Sequence, residues 1–309
     1  MVEASCVISM LKLDEARQAE TSPATTKIPV SVIVAARNEA RNLPRCLASL
    51  RNMGEVYVID SQSKDGTPEI ARSHGAEVAQ FRYQGGWPKK RQWAMNTLPI
   101  TYSWILLIDA DEALTPELEQ EIKFAIQEPG VDGYYIGLQM NFLGRRLRCG
   151  GASFFKLSLF RRGKGHFECR LSDQDASMCD MEVHEHVIVD GNVRKLQHVL
   201  DHHNLGSLEE YIAKHNEYSN WDARVWNAGD AGRAELPPEL FGSQAQRRRW
   251  LRTKFFLLPG SSFLFFAYKY FSRMGFLEGI PGLIYCGLQG TQFLHIKAKV
   301  YELKKQGKG

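Results

Sequence analysis

From Pro29 onward the chain alternates short apolar runs with amphipathic stretches. Residues 29–35, PVSVIVA, are short and β-branched, the composition of a strand buried on both faces. Asn38-Glu39 opens a pattern that puts Leu43, Leu47 and Leu50 on one helical face, which predicts a helix from that point. A second apolar run, residues 55–60, ends in the polar turn SQSKDGT. There Asp65-Gly66 makes the turn, Thr67 can cap a helix with Pro68 at its first position, and Gly75 closes it. Next come a strand over residues 77–80, a helix over 87–98 and the buried run WILLID at 104–109, and Thr115-Pro116 start another helix.

This order predicts an α/β fold with a mainly parallel sheet and helices on both faces, whose ligands bind beyond the carboxyl ends of the strands. Asp60 and Asp109 stand at two such ends. From Gly133 the pattern changes to GYYIGLQMNFLG, FFKLSLFRR and MEVHEHVIVDG, alternating pieces that extend the sheet and make it mixed. Residues 208–226 read as a helix with a basic and aromatic face, whereas residues 1–28 lack periodicity and read as a loose arm.

Charge divides the chain more sharply than hydropathy does. The net charge is +4, yet residues 244–309 hold 12 Lys+Arg against 2 Asp+Glu. In that region Arg247-Arg-Arg-Trp250 leads into Phe255, Phe256, Phe263, Phe265, Phe266, Tyr268, Tyr270 and Phe271, and the apolar pieces are broken by Pro259-Gly260 and Pro281. Bases interleaved with rings on short, interrupted helices suit an element lying in the plane of an anionic membrane surface. The other reading is a helical hairpin packed on the protein or on a second copy. No run of 18 uncharged apolar residues occurs, and the N-terminus does not read as a secretory signal. The expectation is a cytoplasmic protein, peripheral on the inner membrane, divided into the arm at 1–28, a catalytic domain at 29–243 and a membrane-associating helical region at 244–309. The six cysteines form no CxxC pair, so a disulfide scaffold or zinc knuckle is not expected, and no nucleic-acid motif is present.

Asp109 and Asp111 flank one residue at the end of an apolar strand, where both carboxylates can turn toward one cleft. Hard oxygen ligands of this kind suit Mg²⁺ or Mn²⁺ held jointly with substrate phosphates. A DxD arises by chance about once in a chain of this size, so its place on the sheet beside Asp60 gives it weight. The segment Glu182-Val-His184-Glu185-His186 offers a general base. In a regular strand Glu182, His184 and His186 share one face and Glu185 the other. His202-His203 could ligate a metal or be hydrogen-bonded histidines.

Three stretches in order, SVIVAARNEARNLPRCLASL, VIDSQSKDGTPEIA and WILLIDADE, resemble the inverting family 2 glycosyltransferases of the GT-A fold, in particular the bacterial subgroup with lipopolysaccharide core β-glucosyltransferases. The resemblance runs from about Val30 through His184-Glu185. It implies that Ala35, Ala36, Arg37 and Glu39 contact the nucleotide of a nucleotide-sugar donor, that Asp60 meets the base, and that Lys90 and Arg91 meet the base or diphosphate. It further implies that Asp109 and Asp111, with His202, hold Mg²⁺ or Mn²⁺ and that Glu185 is the base. The implied reaction moves a hexose, from a UDP-sugar by preference, to a lipid-linked or lipopolysaccharide-core type acceptor with inversion. Two alternatives remain: a non-catalytic glycan- or lipid-binding homologue, and a sugar nucleotidyltransferase, against which stands the absence of any glycine in AARNEARN.

Overall fold

In the computed structural model, which describes residues 27–171, 185–203, 207–229 and 235–306, the first four strands pair in parallel. Strand β1 (Ile28–Ala36) lies between β2 (Met53–Asp60) and β4 (Trp104–Asp109), and β3 (Glu77–Gln80) adds beside β2. The connections are α1 (Leu43–Ser49), α2 (Thr67–Ser73) and α3 (Lys90–Thr97); a short β5 (Glu112–Leu114) and α4 (Pro116–Ala125) come after β4. Alternate residues of β1 point to opposite faces, as a pleated strand demands. Val30, Val32 and Val34 join Leu43, Leu118 and Ile122 in one core, and Ile33 joins Ile105, Leu107 and Ala94 in another. Both faces are thereby covered by helices.

Beyond β4 the sheet becomes mixed. β8 (Phe154–Arg161) runs antiparallel between β4 and β6 (Gly133–Phe142), to which the short β7 (Arg145–Arg146) also pairs. The long β11 (Val193–His203) lies parallel to β6 and antiparallel to β5. Strands β9 (Gly165–Phe167) and β10 (Val187–Val189) pair separately as a small ribbon. The expected GT-A type α/β architecture, with its C-terminal helical region, is the one observed.

Local differences from the sequence reading have local causes. Helix α1 starts at Leu43 and not at Asn38-Glu39, because Asn38 takes a left-handed backbone (φ 54) and Pro44, which has no N–H, sits in the first turn. Helix α3 starts at Lys90 and not at Trp87, since Lys89 is extended (ψ 173). Thr67 does not cap α2: Gly66 (φ 80) is the N-cap, and the Thr67 hydroxyl instead accepts from the Glu39 N–H at 2.9 Å. Among the described residues around Glu185, strand is found at Val187–Val189. Residues 1–26, Glu182 and His184 lie outside the described residues.

Toward the C-terminus come α5 (Leu208–Asn227), α6 (Gln244–Leu257), α7 (Ser261–Ala267), a π-helical turn (Tyr268–Ser272), a 3-10 turn (Gly275–Glu278) and α8 (Gly279–Gln306). Capping boxes start two of them, Ser207 with Glu210 on α5 and Ser243 with Gln246 on α6. Helix α8 approaches its neighbours at backbone distance. A Cβ on Gly282 would stand 2.3 Å from the Gly275 carbonyl oxygen, and one on Gly290 would stand 2.7 Å from that of Ser262. Among the described residues no helix is long and apolar enough to cross a membrane. The four described cysteines are free.

Candidate active site

The register of the parallel strands assembles the site from residues distant in sequence. Ala35 of β1 lies opposite Asp109 of β4, and Ala36 lies opposite Asp60 of β2. β5 then folds back against β11, setting His202 opposite Glu112 and so beside Asp111. The carboxyl edge of the sheet therefore gathers Ala35, Ala36, Asp60, Asp109, Asp111 and His202.

Asp109 is held by two cations. Arg91 bonds one carboxylate oxygen, and Lys156 Nζ lies 2.9 Å from the other and 3.1 Å from Glu112. Burial raises the Asp109 pKa, but Arg91 and then Lys156 hold it well below the usual carboxylate range. Glu112 is buried, and that burial raises its pKa against the pull of Lys156; its carboxylate also accepts from the Asp109 N–H at 2.9 Å. Asp111 is buried too and faces His202, with Nδ1 3.4 Å from Oδ1. Burial by itself would lower the His202 pKa; the charge of Asp111, with smaller contributions from Glu112 and Asp109, pushes it up to about 9. The same pairing lowers Asp111 against its burial.

The loop after β1 is built by hydrogen bonds to the β2–α2 turn. Asp65 accepts from the Ala40 N–H at 3.0 Å and from Thr67, which makes it a structural tie. Asp60 is fully buried and accepts from the Ser63 N–H at 3.1 Å and from Gln80 at 2.9 Å. Glu39 binds Asn42 at 2.6 Å, and burial together with the nearby Asp111 raises its pKa. Arg37 is exposed on the rim.

The start of α3 sends three consecutive cations to three partners. Lys90 Nζ donates to the Ala36 carbonyl at 3.2 Å, Arg91 binds Asp109, and Lys89 Nζ sits 3.3 Å from Glu185 Oε2 with both side chains fully buried. Trp221 of α5 covers the Lys89 ammonium at 5.2 Å. Glu185 is thus brought to the same end of α3 as Arg91, one buried ion pair away from the carboxyl edge.

Three further cations bear on the site: Arg45, Lys156 and Lys214. Arg45 on α1 donates to the Asp111 carbonyl at 2.7 Å and pairs with Asp201 at 3.2 Å, so it fixes the turn that carries Asp111. Lys214 stands on α5, and its pKa is raised by Tyr218 first and then, against burial, by Asp111, Glu39 and Asp109. The basic and aromatic face of residues 208–226 was the signal for it; nothing in the chain near Arg45 or Lys156 marks them. Replacing Arg45 by Met is expected to cost about 1–2 kcal/mol of unfolding free energy, as lost charged hydrogen bonds do at a half-exposed site, measured by urea denaturation. An unchanged midpoint would show that the Asp111 turn holds without it.

Among the described residues no three His, Cys, Asp or Glu side chains converge as a ready ligand set for a metal. The Asp111–His202 pair nevertheless fits a divalent cation that takes its remaining ligands from phosphate and water. His202 Nδ1 is buried, makes no hydrogen bond of ordinary geometry and points at a carboxylate oxygen.

The carboxyl edge with its DxD and the cations Arg91 and Lys156 falls within residues 31–172, which match the model of glycosyl transferase family 2. The chain is a glycosyltransferase, and those residues, somewhat under half of its length, carry its likeness to family 2. It is 25% identical over 292 residues, 89% of its own length and 93% of the relative's, to the lipopolysaccharide core biosynthesis glycosyltransferase LpsC of Rhizobium meliloti (strain 1021). Among solved structures it is similar to residues 1–349 of S. aureus TarS, with 14% identity, 90% and 91% of the two chains covered and a TM-score of 0.43. It is also similar to glucosyl-3-phosphoglycerate synthase from Mycobacterium tuberculosis, solved in complex with Mn²⁺, uridine diphosphate and phosphoglyceric acid, with 14% identity, 67% and 82% covered and a TM-score of 0.39.

Proposed function

We propose that the protein transfers a hexose, with inversion, from a nucleoside-diphosphate sugar, by preference a UDP-sugar, to a lipid-linked or lipopolysaccharide-core type glycan. The observation that carries this reading is the edge itself: Asp109 and Asp111 end β4 beside β1, with Lys90, Arg91 and Lys156 converging on that edge. Two phosphates need such cations and a divalent metal to neutralise the charge that grows on the leaving group. Asp111 and His202 would hold Mg²⁺ or Mn²⁺, which supplies that neutralisation when bound. Asp109 keeps Arg91 and Lys156 oriented toward the diphosphate, and Ala35, Ala36, Arg37, Glu39 and Asp60 surround the nucleotide. Glu185 takes the proton of the acceptor hydroxyl once its ion pair with Lys89 opens, and Lys89 then stabilises the neighbouring charge.

An exposed apolar surface supports the membrane location. Phe271, Met274, Phe276, Leu277 and Ile280 stand out from the two turns that precede α8 and from its first residues. Leu143 and Arg145 of the β6–β7 hairpin join them, since Arg145 donates to the Leu277 carbonyl at 3.2 Å and pairs with Glu278 at 3.0 Å. Apolar side chains rimmed by arginines suit the headgroup layer of an anionic leaflet.

The test is thermal shift and calorimetry with a panel of nucleotide sugars, with and without Mn²⁺. One uridine sugar is expected to raise the melting temperature only when the metal is present. Failure of every donor would favour a homologue that binds glycan or lipid without turnover.

A further inference from the structure

The turn between β7 and β8 and the C-terminal helices enclose a second cluster of cations that the transfer chemistry does not use. Lys269 lies in the π-helical turn with its side chain buried, its ammonium 3.2 Å from Gln289 Oε1 and 4.8 Å from the centre of the Tyr285 ring. Arg273 and Arg248 stand exposed at the rim, the latter 4.9 Å over the Phe154 ring. Gly150-Gly151, both with φ of 68, passes beside Lys269 and Arg273, and Gly150 N–H donates to the Arg273 carbonyl at 2.8 Å. A Cβ on Gly151 would stand 3.8 Å from Lys269 Nζ and 4.0 Å from Arg273 Nε, so a side chain would fill the space the two cations face.

The charges here do not balance. Among the described residues no carboxylate pairs with Lys269, Arg248 or Arg273; the nearby Arg252 has Asp222 at 2.9 Å, and Glu278 is taken by Arg145 and by the Arg148 and Cys149 N–H groups. A buried ammonium beside two guanidiniums is unfavourable unless an anion joins them. The burial of Lys269 and its like-charged neighbours accordingly push its pKa down to about 7. The turn also stands at a telling place, because it leads into β8, whose Lys156 binds Asp109. The cluster and the donor site share one edge of the sheet.

We propose that Lys269, Arg248 and Arg273, around Gly151, bind a phosphate-type oxyanion carried by the acceptor or by a lipid headgroup. Which molecule carries the anion rests on the glycosyltransferase reading; the site itself does not. The experiment uses the full chain, wild type, Lys269→Met and Arg273→Gln, with inorganic phosphate as the probe and chloride at equal ionic strength as reference. Phosphate is expected to raise the wild-type melting temperature by roughly 2–4 °C, and both variants are expected to lose that rise. Lys269→Met should also melt higher than wild type without phosphate, since a buried charge is gone; a merely structural lysine would melt lower when removed. Arg273 is exposed, so its variant folds and keeps the test decisive. An equal phosphate response in all three proteins overturns the proposal.

Cosedimentation with phosphatidylcholine vesicles, with and without phosphatidylglycerol, separates the sources. Loss of about tenfold in binding to the anionic vesicles by both variants assigns the site to a lipid headgroup; unchanged vesicle binding with lost phosphate protection assigns it to the acceptor's phosphate. Metal-dependent stabilisation by a uridine sugar should persist in both variants, so that failure of the donor reading and failure of this one register separately.

Discussion

Lys89→Met is expected to lower the unfolding free energy by about 3–5 kcal/mol, a larger stability effect than any other substitution at the site, because it removes the ammonium 3.3 Å from a Glu185 carboxylate that is fully shielded from water. Glu185→Gln in the same background should recover much of that loss, since no ionised group then remains to be solvated. A denaturant series on the two single variants and the double variant reads the coupling directly. Single losses below about 1 kcal/mol would mean that water reaches the pair. The same residue carries the second half of the expectation. Glu185→Gln alone should bind donor normally and lose transfer by about 10²–10⁴-fold, the span of a general base. Near-normal transfer would move the base to another acid, Glu182 being the neighbouring candidate.

For Asp111→Asn the expected result is a loss of about 10²-fold or more in kcat/KM, together with loss of the Mn²⁺-dependent rise in melting temperature on adding a uridine sugar. The substitution keeps the shape of the side chain and the backbone carbonyl to which Arg45 donates, so the turn survives. Only the charge differs. Without the Asp111 carboxylate the main influence raising the His202 pKa disappears, and the buried imidazole becomes easier to deprotonate. Turnover equal to wild type at saturating donor would sink the metal assignment while leaving the fold and the donor cleft untouched.

The parallel half of the fold was legible because strands buried on both faces are written as uninterrupted β-branched runs. β3 begins and ends where the sequence reading places it, and β4 ends on the expected Asp109. Helix starts were harder. At Asn38 and Lys89 the backbone conformation is decided by the turns the chain must make, through a left-handed residue and an extended one, and side-chain periodicity carries no trace of either. The DxD and its histidine could be read from local spacing and the resemblance. Arg45 and Lys156 could not, since each meets the site only through a strand or helix that packs there from a distant part of the chain. Lys89 shows a further limit: adjacency in sequence does not tell which of three neighbouring cations is buried, and it is Lys89, fully buried, that meets Glu185.

That tripeptide also constrains how the chain can vary in length. Lys89, Lys90 and Arg91 reach Glu185, the end of β1 and the end of β4 from successive positions at the start of one short helix. Inserting or deleting one residue there would rotate the remainder of α3 by about 100° and misdirect the three side chains at once. The stretch works as a ruler in the polypeptide, and in it residue count matters as much as residue identity.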